Sequence, residues 1–102
     1  MENEPDAIVK ERLDAINAAI QNAFLDGKIN YLGCGSKIYK FELVNEGLPP
    51  CRLDFAWEYL LDNNENTILD KLRREKVFET ISNASKPIKI LVTEDEVRVE
   101  NW

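Results

Sequence analysis

The residues best suited to covalent chemistry in this chain are its two cysteines, Cys34 and Cys51. A cysteine is a nucleophile only as thiolate, so it needs a neighbouring cation or a helix N-terminus to lower its pKa. Neither is evident in the sequence around them. Cys34 stands between Gly33 and Gly35, where small residues suit a turn, and no C-x-x-C spacing is present. Two free thiols are the expectation, together with the reducing cytosolic compartment in which thiols persist. The chain contains no histidine. That removes the commonest general base, the commonest metal ligand, and every Ser-His or Cys-His arrangement.

Other sets of residues that could carry chemistry have plainer readings. Gly33-x-Gly35 lacks the third glycine of a phosphate cradle and leads into a β-rich run instead of a helix. Asp62/Glu65 and Glu94/Glu96 are acidic pairs without the calcium-loop pattern, and they read as solvated loops. Carboxylates used as an acid–base pair need an apolar setting to separate their pKa values, and no pair has one. The expectation is a protein without catalytic residues, cofactor or metal.

One local basic group stands out: Lys71, Arg73, Arg74 and Lys76. It precedes a C-terminal hairpin, as a recognition helix precedes a wing in a winged helix-turn-helix. A DNA-binding regulator using Arg73, Arg74 and Lys76 is therefore the alternative reading. Three observations weigh against it. The same stretch carries Asp70, Glu75 and Glu79; the hairpin tip is Glu94-Asp95-Glu96; and the whole chain has a net charge of −6. The electrostatic attraction that drives binding to phosphate backbones points the other way.

The chain's 102 residues are one domain's length, with 44% hydrophobic and 31% charged residues, an ordinary globular composition. No apolar run approaches the roughly 20 residues that cross a bilayer. The acidic start, Met1 to Pro5, has neither the basic nor the apolar part of a signal peptide and is expected to be disordered.

The elements that must position these residues follow from periodicity. Val9, Leu13, Ile16, Ile20 and Phe24 mark one stripe of a first helix, with Pro5 and Asp6 at its start and Gly27 as a left-handed C-terminal residue. Lys28–Leu32 and Lys37–Val44 read as strands joined by a turn at Gly33–Ser36. In the second run Tyr39, Phe41 and Leu43 alternate with Lys40 and Glu42, giving one buried and one wet face. Asn45–Gly47 reads as a hairpin loop. The returning segment Leu48–Leu53 carries Pro49 and Pro50, which assigns it to a sheet edge or to extended coil.

Arg52–Leu61 is the densest apolar segment, and its spacing predicts a central helix. Leu53, Ala56, Trp57, Leu60 and Leu61 would share one side, leaving Phe55 and Tyr59 on the other. A further helix is predicted over Thr67–Ala84, with a conflict inside it. Ile68, Leu69 and Leu72 face one way and Val77, Phe78 and Ile81 roughly the opposite way at ~100° per residue. Either the chain kinks near Arg74, or a straight helix is covered on both sides. Ile88–Val92 and Glu96–Glu100 complete a C-terminal hairpin, with Trp102 just beyond.

The resulting expectation is one α+β domain over residues 1–102. It has an N-terminal helix, a hairpin with a possible third strand, two central helices and a C-terminal hairpin. These form one mostly antiparallel sheet with helices on one face. Phe55, Tyr59, Phe78 and Trp102 exceed what single-sided helices bury, and aromatics are enriched at interfaces. The function expected is a small acidic protein–protein interaction module of adaptor, inhibitor or chaperone type, acting as a homodimer or with another protein, away from nucleic acid and membrane.

Overall fold

The computed structural model describes residues 7–102. The expectations for Pro5, Asp6 and a disordered start fall outside them. In chain order the elements are α1 (Ala7–Ala23), β1 (Lys28–Gly35), β2 (Ile38–Val44), β3 (Cys51–Ala56), α2 (Trp57–Asp62), α3 (Glu65–Arg74), α4 (Val77–Ser82), β4 (Ile88–Val92) and β5 (Val97–Asn101). The strands form one open five-stranded sheet in sequence order, β1-β2-β3-β4-β5. All neighbours run antiparallel except β3 and β4, which are parallel and joined through α2, α3 and α4. The α+β class and the single sheet agree with the sequence expectation; the sheet has one strand more than two hairpins supply, and one parallel pairing.

Alternation along the strands decides which face is covered. Tyr39, Phe41 and Leu43 on β2, Cys51, Leu53 and Phe55 on β3, and Ile88, Ile90 and Val92 on β4 are buried on one side. They meet the α1 stripe Val9, Leu13, Ile16 and Ile20, with Leu60, Ile68, Leu72, Val77 and Ile81 from the crossover helices, in one core. The other face bears Lys40, Glu42, Arg52, Asp54, Lys89 and Leu91, none of which joins that core, and no helix among the described residues lies over it.

The α1 helix ends differently from its expected cap. Gln21 Nε2 reaches the carbonyls of Phe24 (3.1 Å) and Gly27 (3.2 Å). Gly27 has no positive φ; its role is space, since a Cβ there would lie 3.0 Å from Leu43 Cδ1 and 3.1 Å from the Phe24 oxygen. The first hairpin turn is also displaced. Ser36 (φ 56°) and Lys37 (φ 60°) form a two-residue turn with both residues left-handed, and β1 runs on through Gly35. That geometry matches the twist of the flanking strands better than a four-residue loop. Gly33 (φ 102°) instead serves a bulge, where the register slips between Tyr31 and Gly33.

The largest departure concerns Arg52–Leu61. Its first half is the central strand β3, and only Trp57–Asp62 is helical. Leu53 and Phe55 fit a two-residue period, whereas Leu53, Ala56 and Trp57 fit a helical one, and a short apolar run leaves the choice to its partners. Here β2 on one side and β4 on the other satisfy the β3 backbone as a ladder. Pro49 and Pro50 lie just before the strand, so the missing donors cost the ladder nothing and the segment is not confined to an edge.

The opposed faces of Thr67–Ala84 are reconciled by a break. Lys76 adopts a left-handed conformation (φ 54°, ψ 41°) between α3 and α4. The amides of Glu75 and Lys76 close onto the carbonyls of Lys71 (2.9 Å) and Arg73 (3.1 Å), and Thr80 Oγ1 donates back to the Lys76 carbonyl (3.0 Å). The change of direction lets Ile68 and Leu72 share one core with Val77 and Ile81. Asn64 caps α3 by accepting from the Thr67 amide at 2.9 Å, as its residue type predicts. A left-handed L-residue with a Cβ costs roughly 1–2 kcal/mol. Lys76→Gly is therefore expected to raise the melting temperature slightly and Lys76→Val to lower it. A calorimetric scan in which glycine is the less stable of the two would overturn this account of the break.

Candidate interaction surface

The aromatic residues singled out in the sequence do not form one patch. Phe55 is fully buried at the centre of the sheet, and Tyr59 is 2% exposed, so neither presents a side chain to a partner. The helical projection separated them from Trp57 and Leu60; a strand-to-helix junction at Ala56/Trp57 turns both inward. Burial pushes the Tyr59 phenol above its ordinary pKa, with Glu94 adding to the shift and Arg74 opposing it. Phe78 is half-buried and packs edge-on against Phe24, with centroids 6.1 Å apart. Trp102 is 44% exposed, its ring 6.0 Å from the Arg52 guanidinium on the uncovered sheet face.

The basic group divides by role. Lys71 is buried and donates from Nζ to the carbonyls of Thr93 and Glu94 (3.1 Å for the latter), over the Tyr59 ring at 4.9 Å. It clamps the β4–β5 turn to α3, and Asn63 adds a bond to Glu94 Oε1 at 3.0 Å. Arg73 and Arg74 are exposed and share one carboxylate, Asp70, at 3.7 and 3.3 Å. Lys76 sits at the helix break. The β4–β5 hairpin is two strands of the main sheet, and its tip is acidic.

Both cysteines lie on strands. Cys34 is half-buried near the end of β1, and Cys51 is buried at the start of β3. Burial, reinforced by the nearby Asp54 charge, pushes the Cys51 thiol up to about 12. It is therefore a neutral, poorly nucleophilic group near neutral pH. Because the folded state holds this proton more tightly than the unfolded chain, its contribution to stability is present below pH 9 and lost as pH rises towards 12. Among the described residues no three His, Cys, Asp or Glu side chains gather where a metal could be held. No helix among them is long and apolar enough to cross a membrane.

The uncovered face of the sheet is built from charge. Strand register sets Lys40, Asp54, Leu91 and Arg98 in one cross-strand row and Glu42, Arg52, Lys89 and Glu100 in the next. Arg52 grips Asp54 through Nε (3.0 and 3.2 Å) and Nη2 (2.9 Å), which accounts for a carboxylate only 3% exposed. Lys89 meets Glu100 at 3.6 Å, and Asn30 donates to Glu42 at 3.1 Å. These groups satisfy one another and read as a solvated wall.

Ile8 on α1, Leu25 just after it and Val44 at the end of β2 are exposed singly, and the other exposed large apolar side chains lie along the sheet's margins. Tyr31 and Leu32 lie on β1 at the bulge, and Val99 lies on β5, with Trp102 just past it. Beside β1, Leu13, Ile29, Tyr31 and Phe41 line a groove of about 310 Å³ under α1, with Lys10, Asp14 and Asn17 along its rim. Sequence reasoning passed over Tyr31, Leu32 and Val99. Their types suit any strand, and only the strand order shows that they border open edges. Comparison of the chain with protein-family models, curated proteins and solved structures found no match.

Proposed function

We propose that this protein is a noncatalytic module that works through contacts with other protein chains, and that it does so along the margins of its sheet. The observation that carries this reading is the placement of Tyr31, Leu32 and Val99 on the two outermost strands. Outer strands leave half of their backbone donors and acceptors without a strand partner. An exposed edge flanked by apolar side chains is the surface to which an extended chain adds. The groove beside β1 offers pockets for side chains of such a segment. Two free thiols fit action in a reducing compartment, and we extend the proposal to a cytosolic location.

Leu32→Asp tests the reading, because Leu32 is half exposed and its loss leaves the core intact. The variant should melt within about 0.5 kcal/mol of the parent, as surface substitutions do. It should also lose whatever protein the parent captures from its native host through the β1 margin, identified by mass spectrometry. A parent that captures nothing and stays monomeric in light scattering would overturn the reading. For the nucleic-acid alternative, Arg73 and Arg74 already share Asp70, and a chain of net charge −6 is repelled by phosphate. A micromolar gel shift at physiological salt, weakened by alanine at Arg73, Arg74 and Lys76, would reverse that ranking.

A further inference from the structure

The β5 strand is the sheet's last, and its backbone phase can be read from the bonds that flank it. Thr93 N–H donates to the Glu96 carbonyl (2.9 Å) and Trp102 N–H to the Pro87 carbonyl (3.2 Å). Both bonds continue the register that pairs Val92 with Val97 and Ile88 with Asn101. Hydrogen-bonded pairs alternate along an antiparallel ladder. Leu91/Arg98 and Lys89/Glu100 are therefore the bonded pairs with β4. Val97, Val99 and Asn101 direct their N–H and C=O groups away from the sheet, where no strand lies among the described residues. None of them is proline, and the strand contains no bulge. The opposite edge differs: the slip at Tyr31/Gly33 shifts the phase of β1 part-way along, so it does not offer one continuous row for a second copy of itself.

We infer that β5 pairs antiparallel with β5 of a second copy of this chain, about a two-fold axis at Val99, joining two five-stranded sheets edge to edge. The inference rests on the reading of the protein as a binding module and names one partner for it. In this register Val99 lies opposite Val99 of the second copy, and Val97 opposite its Asn101. These are the outward-facing residues, so each pair exchanges both of its backbone bonds. Arg98 lies opposite Glu100 of the second copy, and Glu100 opposite its Arg98. Those are the non-bonded positions, where Cα atoms come within ~4.5 Å and side chains interact most closely. Val99, now 50% exposed, gains an apolar neighbour.

The charge pattern selects this register over its neighbours. A slip of two residues either way sets Arg98 against Arg98 or Glu100 against Glu100. A slip of one sets an outward-facing residue against one turned toward β4 and breaks the ladder. Parallel in-register pairing puts each charge against its like. A slip of four also sets Arg98 opposite a glutamate, Glu96, its partner within the chain at 2.6 Å, but leaves Val97 as the one strand residue paired within both strands. Antiparallel pairing centred on Val99 is the register that matches backbone phase and charge along the whole strand.

Sedimentation velocity of the full chain from low micromolar to submillimolar concentration should show a reversible dimer. Arg98→Glu sets two carboxylates opposite each other across the axis and should weaken dimerisation at least about tenfold. Adding Glu100→Arg restores complementarity across the axis with the signs exchanged and should recover part of the loss, because within each chain the exchange also removes the Arg98–Glu96 and Lys89–Glu100 pairs. The circular dichroism of each variant monitors its fold. The amides of Val97, Val99 and Asn101 should gain protection from hydrogen exchange as concentration rises. A monomer at every concentration overturns the inference, as does a dimer indifferent to Arg98→Glu or not rescued by the double exchange. Capture of another protein that depends on Leu32 would survive either result, which separates this inference from the broader reading.

Discussion

Phe55→Ala should lower the unfolding free energy by about 3–5 kcal/mol, the range for removing a large aromatic from a core that relaxes only partly. Domains of this kind have roughly 5–15 kcal/mol in all, so the variant should be close to unfolding at ambient temperature. The magnitude follows from where the ring sits. Phe55 is 0% exposed on the third of five strands, facing Tyr39 across β2 and Val92 across β4. Its ring meets Phe41 edge-on, with centroids 6.1 Å apart. Urea titration should show an earlier midpoint with an unchanged slope, the mark of lost stability without a changed unfolded state. Trp57→Ala is the companion experiment. Trp57 opens α2 half-buried, with Lys37 Nζ 5.4 Å from its ring centroid, and should cost less. A larger loss at Trp57 than at Phe55 would favour a helix through this segment and overturn the strand assignment.

Arg12→Met should cost about 2–4 kcal/mol, although the substitution keeps a long apolar stem. The α2 helix has six residues, no side-chain cap at its start and no basic residue in its last turn. Its final carbonyls are bonded from elsewhere in the chain. Arg12, on α1, donates from Nη1 to the Leu60 oxygen and to the Leu61 oxygen at 2.7 Å. Hydrogen bonds from a charged donor contribute about 1.5–3 kcal/mol each, and buried acceptors left without a donor carry their desolvation cost. The side chain is only 15% exposed, so water replaces it poorly. Glu65 stands 3.7 Å from Arg12 Nε and would lose its counter-charge as well. Arg12→Lys should recover only part of the loss, because an ammonium cannot reproduce the guanidinium fork. Thermal melts of the three proteins check the order; a methionine variant as stable as the parent would refute the clamp.

These two sites show what the sequence makes legible. The α1 stripe and the alternation of Ile88, Ile90 and Val92 are regular patterns with one interpretation, and the residues of both are buried in a helix and a strand as expected, although α1 lacks its expected glycine cap. The phase jump between Leu72 and Val77 was visible too. Choosing between a kink and a doubly covered helix depends on whether Lys76 can hold a left-handed turn, which periodicity does not encode. Arg52–Leu61 misled for a different reason. Its apolar residues fit both periods, and a central strand is decided by neighbours distant in sequence: Ile88–Val92 on one side and Ile38–Val44 on the other. Arg12 reads as one charge on a polar helix face until α2 is placed beneath it. The candidate site suffered most. Aromatic type pointed to Phe55 and Tyr59, which the core consumes, whereas Tyr31, Leu32 and Val99 become notable only when the strand order shows which edges are open.

The single parallel pairing also bears on how the chain reaches this state. The β1-β2-β3 meander and the β4-β5 hairpin each close through short turns, so their contacts are local and cheap in chain entropy. The two halves meet along one seam, β3 against β4, across the whole connection from Trp57 to Pro87. Forming that seam requires the longest loop closure in the sheet, and non-local pairings of this kind slow folding most. Until it forms, each half presents a bare edge: Leu53 and Phe55 on one side, Ile88 and Ile90 on the other. The interval before closure is when this small protein is most exposed to pairing with the wrong strand.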